Sequence, residues 1–545
     1  MNYNTDELLQ QGITAHRAGR AQDAERLYRS ILQQQPNHPD ANHNLGVLTL
    51  SLGKTELSLT YFKAAVEANP KQDQFWYSMI DALIKVGQFN NADKIIQLGR
   101  DNGLKGEKFE QLVMQLAASF YNLGITLRQK GDPVSASEYF KSAIQLNPDY
   151  IKAHSNLGIA LQQRGDPVGA IESFRRAIEL DPNSAQLHNN LGNTLLETSD
   201  HGSAVESFRR AIQIEPTLAD LHSNLATVLE KTDVSAAIES YQRALELNPN
   251  LKIANYNLGL VFMTLGQFDK ALPYHEKANT PKSFAKSLLC LYALGLYEQF
   301  DSRIREYDEI HKVNISVAAI CAFVSDQTNR KNIHKFCRNP LEFLSFGHLS
   351  QHIDDSNDFI KKLDEELSLK EGTWEPYGNA TRNGFHTSGN LFVAQSGCVP
   401  NLERIIENEI ASYYAKFKSS TCLFMELWPK ESSLIGWSVR LHQNGYQDSH
   451  IHPGGWLSGV VYLKPTKSKK QDQGAIEFSL CGTNFPILDE DYPKFVYCPK
   501  KGDIVLFPSS LYHRTIPFKN DEERLVVAFD LVPHANAQLV SAPSA

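Results

Sequence analysis

The sequence predicts a chain of two parts: an all-α superhelix of stacked helical hairpins, then an α+β domain built on an antiparallel sandwich or jelly roll. Three observations predict it. At 545 residues the chain exceeds what one hydrophobic core organises, so two or more domains are expected. A motif recurs at intervals of 33 or 34 residues through the first half. Between 435 and 533, short β-branched and aromatic runs are separated by Gly, Asn, Asp and Pro, with no long helix among them.

The repeat is read from "AHSNLG" (153–158), "LHNNLG" (187–192), "LHSNLA" (221–226) and "ANYNLG" (254–259). Each unit continues with Ala and aromatic residues and closes on proline, at Pro148, Pro182, Pro216 and Pro249. Pro36 and Pro70 keep the same step, and "NHNLG" (42–46) belongs to the series. A period of 34 with small residues, an aromatic and a closing proline resembles the tetratricopeptide repeat. In that repeat each helical hairpin buries its apolar face only by stacking on neighbours. Regular copies cover 8–70 and 117–282, and 71–116 reads as a degenerate unit. Asn44 to Asn122 spans 78 residues against 68 for two repeats, an insertion of about ten.

One repeat position carries chemistry. Asn44, Asn122, Asn156, Asn190, Asn224 and Asn257 each precede the leucine of their unit. Asn offers one acceptor and two donors, which suits the backbone of an extended peptide. The row resembles the asparagine ladder lining the groove of protein O-linked N-acetylglucosaminyltransferases, which implies peptide binding at Asn122, Asn156, Asn190, Asn224 and Asn257. The other reading is that Asn only spaces and caps the helices. No glycosyltransferase half follows, so that resemblance stops at the groove.

Composition narrows the classes. The chain is 42% hydrophobic and 21% charged, with a formal charge of −8, which argues against a protein whose whole surface grips nucleic acid. Seven cysteines are scattered without a CxxC pair, so neither a zinc finger nor a disulfide framework is expected. "MNYNTDELLQQG" has no basic start followed by an apolar stretch, and no run is long enough to span a bilayer. A cytoplasmic address is expected.

After about residue 285 the period fades. Residues 283–335 still read helical, as terminal solenoid helices or a linker, and 336–535 read as a separate domain with a tail at 536–545. Helical stretches are expected at 353–369 and 401–418. Five strands follow: "LIGWSVRLHQ", "WLSGVVYLKP", "GAIEFSLCG", "GDIVLFPSS" and "RLVVAFDLVP". In "HIHPGGWLSGVVYL" (450–463), His450 and His452 would share one face of a strand, whereas in a helix they would diverge by about 200°. His513 ends "GDIVLFPSSLYH", and Arg524 opens the next strand. A guanidinium forks around a carboxylate as no lysine can.

HxH, a late His and then a strand Arg resemble the double-stranded β-helix (jelly-roll) oxygenases that use Fe(II) and 2-oxoglutarate. "CRNPLEF", "WEPYGNATRNGFHT", "GWSVRLHQNGYQDSHIHPGGWLSGVVYL", "GDIVLFPSSLYHRTIPF" and "ERLVVAFDL" are similar to the oxygenases appended to bacterial tetratricopeptide arrays, over roughly 336–533. The resemblance implies Fe(II) at His450, His452 and His513, with 2-oxoglutarate and O2 as cosubstrates and hydroxylation of an unactivated C–H bond. Arg524 would anchor the distal carboxylate. Tyr462 would add its hydroxyl there or simply pack as a buried strand residue. Gly454, Gly455 and Ser458 would leave room near the metal, and Trp456 would wall the pocket or pack.

The sequence departs from the usual two histidines and one carboxylate, because His452 stands where HxD or HxE is expected. Either His452 is the third ligand, or two histidines suffice as in the aspartyl/asparaginyl β-hydroxylases. Asp448 is a nearby carboxylate that could ligate or orient a ring. His442 and Tyr446 read as local packing or substrate-side residues, and His534 as solvated. Three functions stay open: a protein or peptide hydroxylase, a small-molecule or glycan-pathway hydroxylase with the repeats as a partner dock, and a non-catalytic scaffold.

Overall fold

A computed structural model of the chain describes residues 5–310, 313–370, 372–375, 380–387, 389–394, 396–466 and 472–534. Part of "WEPYGNATRNGFHT" and the expected tail at 536–545 lie outside the described residues. The chain divides into two compact units, Met1–Thr232 and Asp233–Ala545.

The first unit is a run of helical hairpins. The repeat is built on one contact: the glycine of the first helix faces an aromatic ring sixteen residues on in the second. A Cβ on Gly158 would stand 2.8 Å from the Phe174 ring, and one on Gly192 would stand 2.8 Å from Phe208. Only glycine lets the helices close to this distance, and Phe140, Phe174 and Phe208 are fully buried as a result. Each closing proline also has a structural use. Its carbonyl accepts a hydrogen bond from the side chain six residues later: Asn42 to Pro36, Trp76 to Pro70, His154 to Pro148. Asp132, Asp166 and Asp200 cap the second helices by accepting from the backbone N–H three residues on.

The degenerate unit is a hairpin of Asp73–Lys85 and Phe89–Asp101, followed by Glu107–Gln129. That last helix has 23 residues where the corresponding Ile151–Gln163 has 13. The ten extra residues are therefore turns of helix rather than a loop.

The second unit begins with helices Val234–Leu247, Lys252–Thr264, Phe268–Ala278, Pro281–Ala293, Tyr297–Ile310 and Ile315–Gln327. Its sheet comprises β1 (Ser345–His348), β2 (Gly372–Trp374), β3 (Thr381–Thr387), β4 (Ser432–His450), β5 (Leu457–Lys464), β6 (Ile476–Ser479), β7 (Lys494–Tyr497), β8 (Asp503–Pro508), β9 (Tyr512–Thr515) and β10 (Arg524–Pro533). The order is β1-β8-β5-β10-β4-β9-β6-β7, with β3 also pairing β4 and β2 pairing β3. The described ladders are antiparallel. β4 bends the sheet into a jelly roll: Ser432–Leu441 pairs with β10, while Gln447 and His450 pair with β9 across a register shift.

The five expected strands are β4, β5, β6, β8 and β10. The five that the sequence reading missed are three to seven residues long and rich in polar or exposed positions, such as "YHRT" in β9 and "KFVY" in β7. They form by pairing with a strong neighbour and carry little pattern of their own. The expected helices run Ser356–Ser368 and Val399–Phe417, within three residues of the expected bounds.

Successive residues of a strand face opposite sides, and here both sides are buried. Val461, Ile504, Leu506, Val527 and Phe529 pack against Phe359, Leu363, Leu402 and Ile406 of the two helices. Val460, Tyr462, Val505, Phe507, Phe478 and Val526 fill the interior of the roll. Burial on both faces is why β5, β8 and β10 read as continuous apolar runs. A third cluster joins Leu288, Ile320 and Phe323 of the preceding helices to Cys481, Phe485 and Tyr512.

Candidate metal centre

His450 ends β4 and is the cross-strand partner of His513 on β9. Past the end of β4, the His452 N–H donates to the Ser509 carbonyl at 3.1 Å and its own carbonyl accepts from the Gly455 N–H at 3.0 Å, closing a turn. Ile451 between them packs into the apolar clusters, so the two histidines share the opposite side. One ligand atom from each of His450, His452 and His513 lies within 4.8 Å of the others. Ring centroids are 4.3 Å apart for His450 and His513, 5.0 Å for His452 and His513, and 5.2 Å for His450 and His452.

Hydrogen bonds fix the rings. Nδ1–H of His450 donates to the Asp448 carbonyl at 2.7 Å, and Nδ1–H of His513 donates to the Leu511 carbonyl at 3.1 Å. Nδ1–H of His452 donates to Asp530 Oδ1 at 2.5 Å. With each Nδ1 spent on an acceptor, Nε2 keeps the free lone pair, the arrangement of a histidine prepared as a ligand. Burial holds His450 down to about 3, with the neighbouring His452 adding to the effect. Burial likewise holds His513 well below the usual histidine range, followed by the charges that His450 and His452 would carry. Imidazoles at this spacing suit a divalent transition metal.

Asp448 does not join the cluster. Its carboxylate pairs with Arg382 at 3.0 Å, and its contribution to the site is the main-chain carbonyl that accepts from His450. Trp456 packs toward the helices, stacked with Phe424 and donating Nε1–H to the Phe424 carbonyl at 3.0 Å. His442 lies against Trp374 and Phe385. His534 is exposed but meets Ser433 Oγ at 3.1 Å. Tyr446 is half-buried beside Arg382 in the β3–β4 ladder.

Arg524 opens β10 and is 1% exposed, yet its Nε and Nη1 have no hydrogen-bond partner. Its guanidinium carbon lies 5.2 Å from the centre of the Tyr462 ring. The Tyr462 hydroxyl is also buried without a partner. Burial lowers the Arg524 pKa, opposed by Tyr462. Burial raises that of Tyr462 to about 12, opposed by Arg524. A buried guanidinium with idle donors is costly unless an anion meets it, so the pair fits a carboxylate ligand. Arg524 and Asp530 lie six residues apart on one face of β10. The same interior cluster that holds Tyr462 and Val526 holds Phe507, whose ring lies 4.6 Å from His513.

Asp530, Ser458, Trp437 and His386 were missed as site residues or read only as spacers. Asp530 Oδ1 accepts from Ser458 Oγ at 2.6 Å, and Ser458 Oγ meets Ser509 Oγ at 2.8 Å. Trp437 lies 5.5 Å from the His452 ring, and His386 stacks on Trp437 at 5.8 Å. The sequence held two signals: an acid inside the apolar run "RLVVAFDLVP" and a histidine in "NGFHT".

The asparagine row is distributed among different uses. Asn156 Nδ2 donates to the Tyr121 hydroxyl of the preceding hairpin at 3.2 Å and to the Lys152 carbonyl at 2.9 Å. Asn224 Nδ2 donates to Asn189 Oδ1 of the preceding hairpin at 2.8 Å. Asn190 Oδ1 accepts from Gln186 at 2.7 Å. Asn122 is exposed; Asn44, and Asn257 in the second unit, are half-buried. No described helix is long and apolar enough to cross a membrane.

Comparison with known proteins matches residues 436–530 to the family described as "Putative 2OG-Fe(II) oxygenase". Tetratricopeptide repeat families match 9–73, 117–150, 151–184, 173–206, 233–266 and 253–280. A search of curated proteins found no match. Among solved structures, one of MamA is 28% identical, covering 28% of this chain and 91% of that one at a TM-score of 0.27. PilF of Pseudomonas aeruginosa is 19% identical, covering 37% and 94% at a TM-score of 0.32. PilW, a type IV pilus biogenesis factor, is 19% identical, covering 37% and 97% at 0.34. The chain thus joins an array of tetratricopeptide repeats to a C-terminal jelly-roll domain that matches the 2OG-Fe(II) oxygenase family.

Proposed function

We propose that the C-terminal domain is an Fe(II)/2-oxoglutarate-dependent hydroxylase whose repeat array binds a peptide or protein. His450, His452 and His513 are the metal ligands. Arg524, with Tyr462, receives the distal carboxylate of 2-oxoglutarate. The observation that carries this reading is the pairing, within one roll, of three clustered imidazoles, each with Nδ1 spent on an acceptor, with a buried guanidinium whose Nε and Nη1 are idle. Iron bound with 2-oxoglutarate and O2 supplies the oxidising power to hydroxylate an unactivated C–H bond. The chain's own residues hold the three rings, orient the cosubstrate through Arg524 and keep water from the apolar interior. Domain limits at 282 and 335, and a cytoplasmic address, belong to the same proposal.

Asn122, Asn156, Asn190, Asn224 and Asn257 are the proposed peptide contacts. One observation favours a second reading, in which the array docks a partner and the roll hydroxylates a small molecule or glycan precursor. Asn156 and Asn224 already donate to the hairpin before them. Turnover of a small molecule by a chain carrying Asn122→Ala and Asn190→Ala at the wild-type rate would favour that reading.

The test is an anaerobic titration of the metal-free chain with Fe(II), then 2-oxoglutarate, followed by the visible charge-transfer band of a chelated 2-oxo acid. The band is expected in the wild type and absent in His513→Ala. Metal binding without a band points to other chemistry at a three-histidine site. No metal binding leaves a scaffold.

A further inference from the structure

Three neutral imidazoles bring no charge to a divalent cation, whereas two histidines and a carboxylate bring one negative charge. The chain carries that charge one bond further out. Asp530 is 5% exposed on β10, opposite Ser458 of β5, and its Oδ1 accepts from His452 Nδ1–H at 2.5 Å and Ser458 Oγ at 2.6 Å. His450 and His513 donate only to main-chain carbonyls, which are neutral acceptors. One ring of the three is therefore polarised by an anion.

The turn before β5 is shaped around this contact. A Cβ on Gly455 would stand 2.6 Å from Ser509 Oγ and 3.1 Å from Asp530 Cγ, so any larger residue would push the turn off the carboxylate. A buried carboxylate is costly without a compensating cation. A metal on Nε2 of the ring it touches supplies one.

We propose that Asp530 is the positioning residue of the centre: through His452 it delivers the negative charge that a ligating carboxylate would otherwise bring, and it locks that ring with Nε2 turned to the metal. The inference rests on the metal reading above. It assigns the departure from HxD a physical compensation, since the carboxylate has moved from metal ligand to ligand partner. Carboxylates so placed raise ligand basicity, and their removal typically lowers metal affinity about 10- to 100-fold.

The test uses the full chain, metal-free and anaerobic, titrated with Co(II) while its visible d–d bands are recorded. Asp530→Asn keeps the shape and can still accept from His452, but removes the charge. Its Co(II) Kd is expected to rise about 10-fold or more, with a shifted band and an unchanged binding stoichiometry. A merely structural Asp530 would instead lower the binding stoichiometry or the melting temperature of the metal-free chain, leaving Kd and band position alone. That result overturns the proposal, as does wild-type affinity in Asp530→Asn. Should Asp530→Asn not fold, Ser458→Ala takes one donor from the same Oδ1 and is expected to change the Co(II) Kd; an unchanged Kd there counts against the proposal. His513→Ala separates the two levels. If Co(II) still binds to it as to wild type, the metal reading itself fails.

Discussion

In the helical array one contact is written six times, whereas at the candidate metal centre each contact is written once. Gly12 and Tyr28, Gly46 and Phe62, Gly124 and Phe140, Gly158 and Phe174, Gly192 and Phe208, and Gly259 and His275 are copies of a single glycine-to-ring approach. His450, His452, His513, Arg524 and Asp530 hold different positions in β4, β9, β10 and the turn before β5, and none can substitute for another. In the array, then, fitness to the fold is shared among copies, and one copy can drift. In the roll, the residues proposed to serve a ligand stand where the fold alone gains nothing from them. The buried Arg524, with two idle donors, is the clearest case.

That contrast is broken most sharply at Arg524. Arg524→Met removes a buried charge and keeps most of the volume, so the ligand-free chain should melt at the same temperature or higher. Removing one side of a buried charge pair costs about 2–5 kcal/mol of binding. The 2-oxoglutarate affinity of the Fe(II)-loaded chain should therefore fall about 30-fold or more. Calorimetry without ligand and titration with 2-oxoglutarate measure the two halves. A large drop in melting temperature would mean that Arg524 belongs to the fold rather than the site.

The same contrast explains what the sequence made legible. The hairpins could be read because Gly158 and Phe174 are corroborated by copies 34 residues away, and even the ten-residue insertion showed as a gap in that register. β5, β8 and β10 could be read because both of their faces are buried. β9 could not: "YHRT" is four residues that become a strand only by lying between β4 and β6. His450 and His452 could be read because strand alternation predicts one side for them, although His452 lies in the turn just past the end of β4, and His513 because the motif order placed it. Asp530 could not, since its bond to His452 depends on the register of β10 on β5, which no local pattern states. Asp448 was legible as a carboxylate, but what reaches His450 is its carbonyl, and backbone chemistry leaves no mark in residue identity.

A copy that has drifted gives the next test. His275 stands where Phe174 and Phe208 stand, buried at 1% exposure against Gly259, with Nε2 3.2 Å from Met263 Sδ and Nδ1 unpartnered. Burial brings its pKa from 6.5 to about 4, with the Lys286 charge acting in the same direction. The unfolded chain therefore takes up this proton first. The ring's contribution is whole above pH 6.5 and is lost as pH falls toward 4, a change on the order of 3 kcal/mol. His275→Phe restores the residue of the other copies and should resist acid better than wild type. The stability difference, read from urea melts, should grow as pH falls from 6.5 to 4 and stay constant above 7. A difference that does not vary with pH would mean that the imidazole titrates alike in the folded and unfolded chains.

The smallest effect concerns a second drifted copy. Between the helices of most hairpins the chain passes through the left-handed region, at φ 81° for Gly131 and 83° for Gly165. The next copy places Ser199 there, at φ 61°. A side chain in this region costs about 1–2 kcal/mol, while glycine returns part of that by loosening the unfolded chain. Ser199→Gly should therefore stabilise its hairpin by roughly 0.5–1 kcal/mol. In a repeat array such a gain is local, because each hairpin contacts only its neighbours. Amide exchange should thus slow in Ala185–Glu197 and His201–Ile214 and leave Thr5–Arg17 as it was. Equal slowing along the whole first unit would mean that the array unfolds as one body, so that its copies, like the single contacts of the roll, stand or fall together.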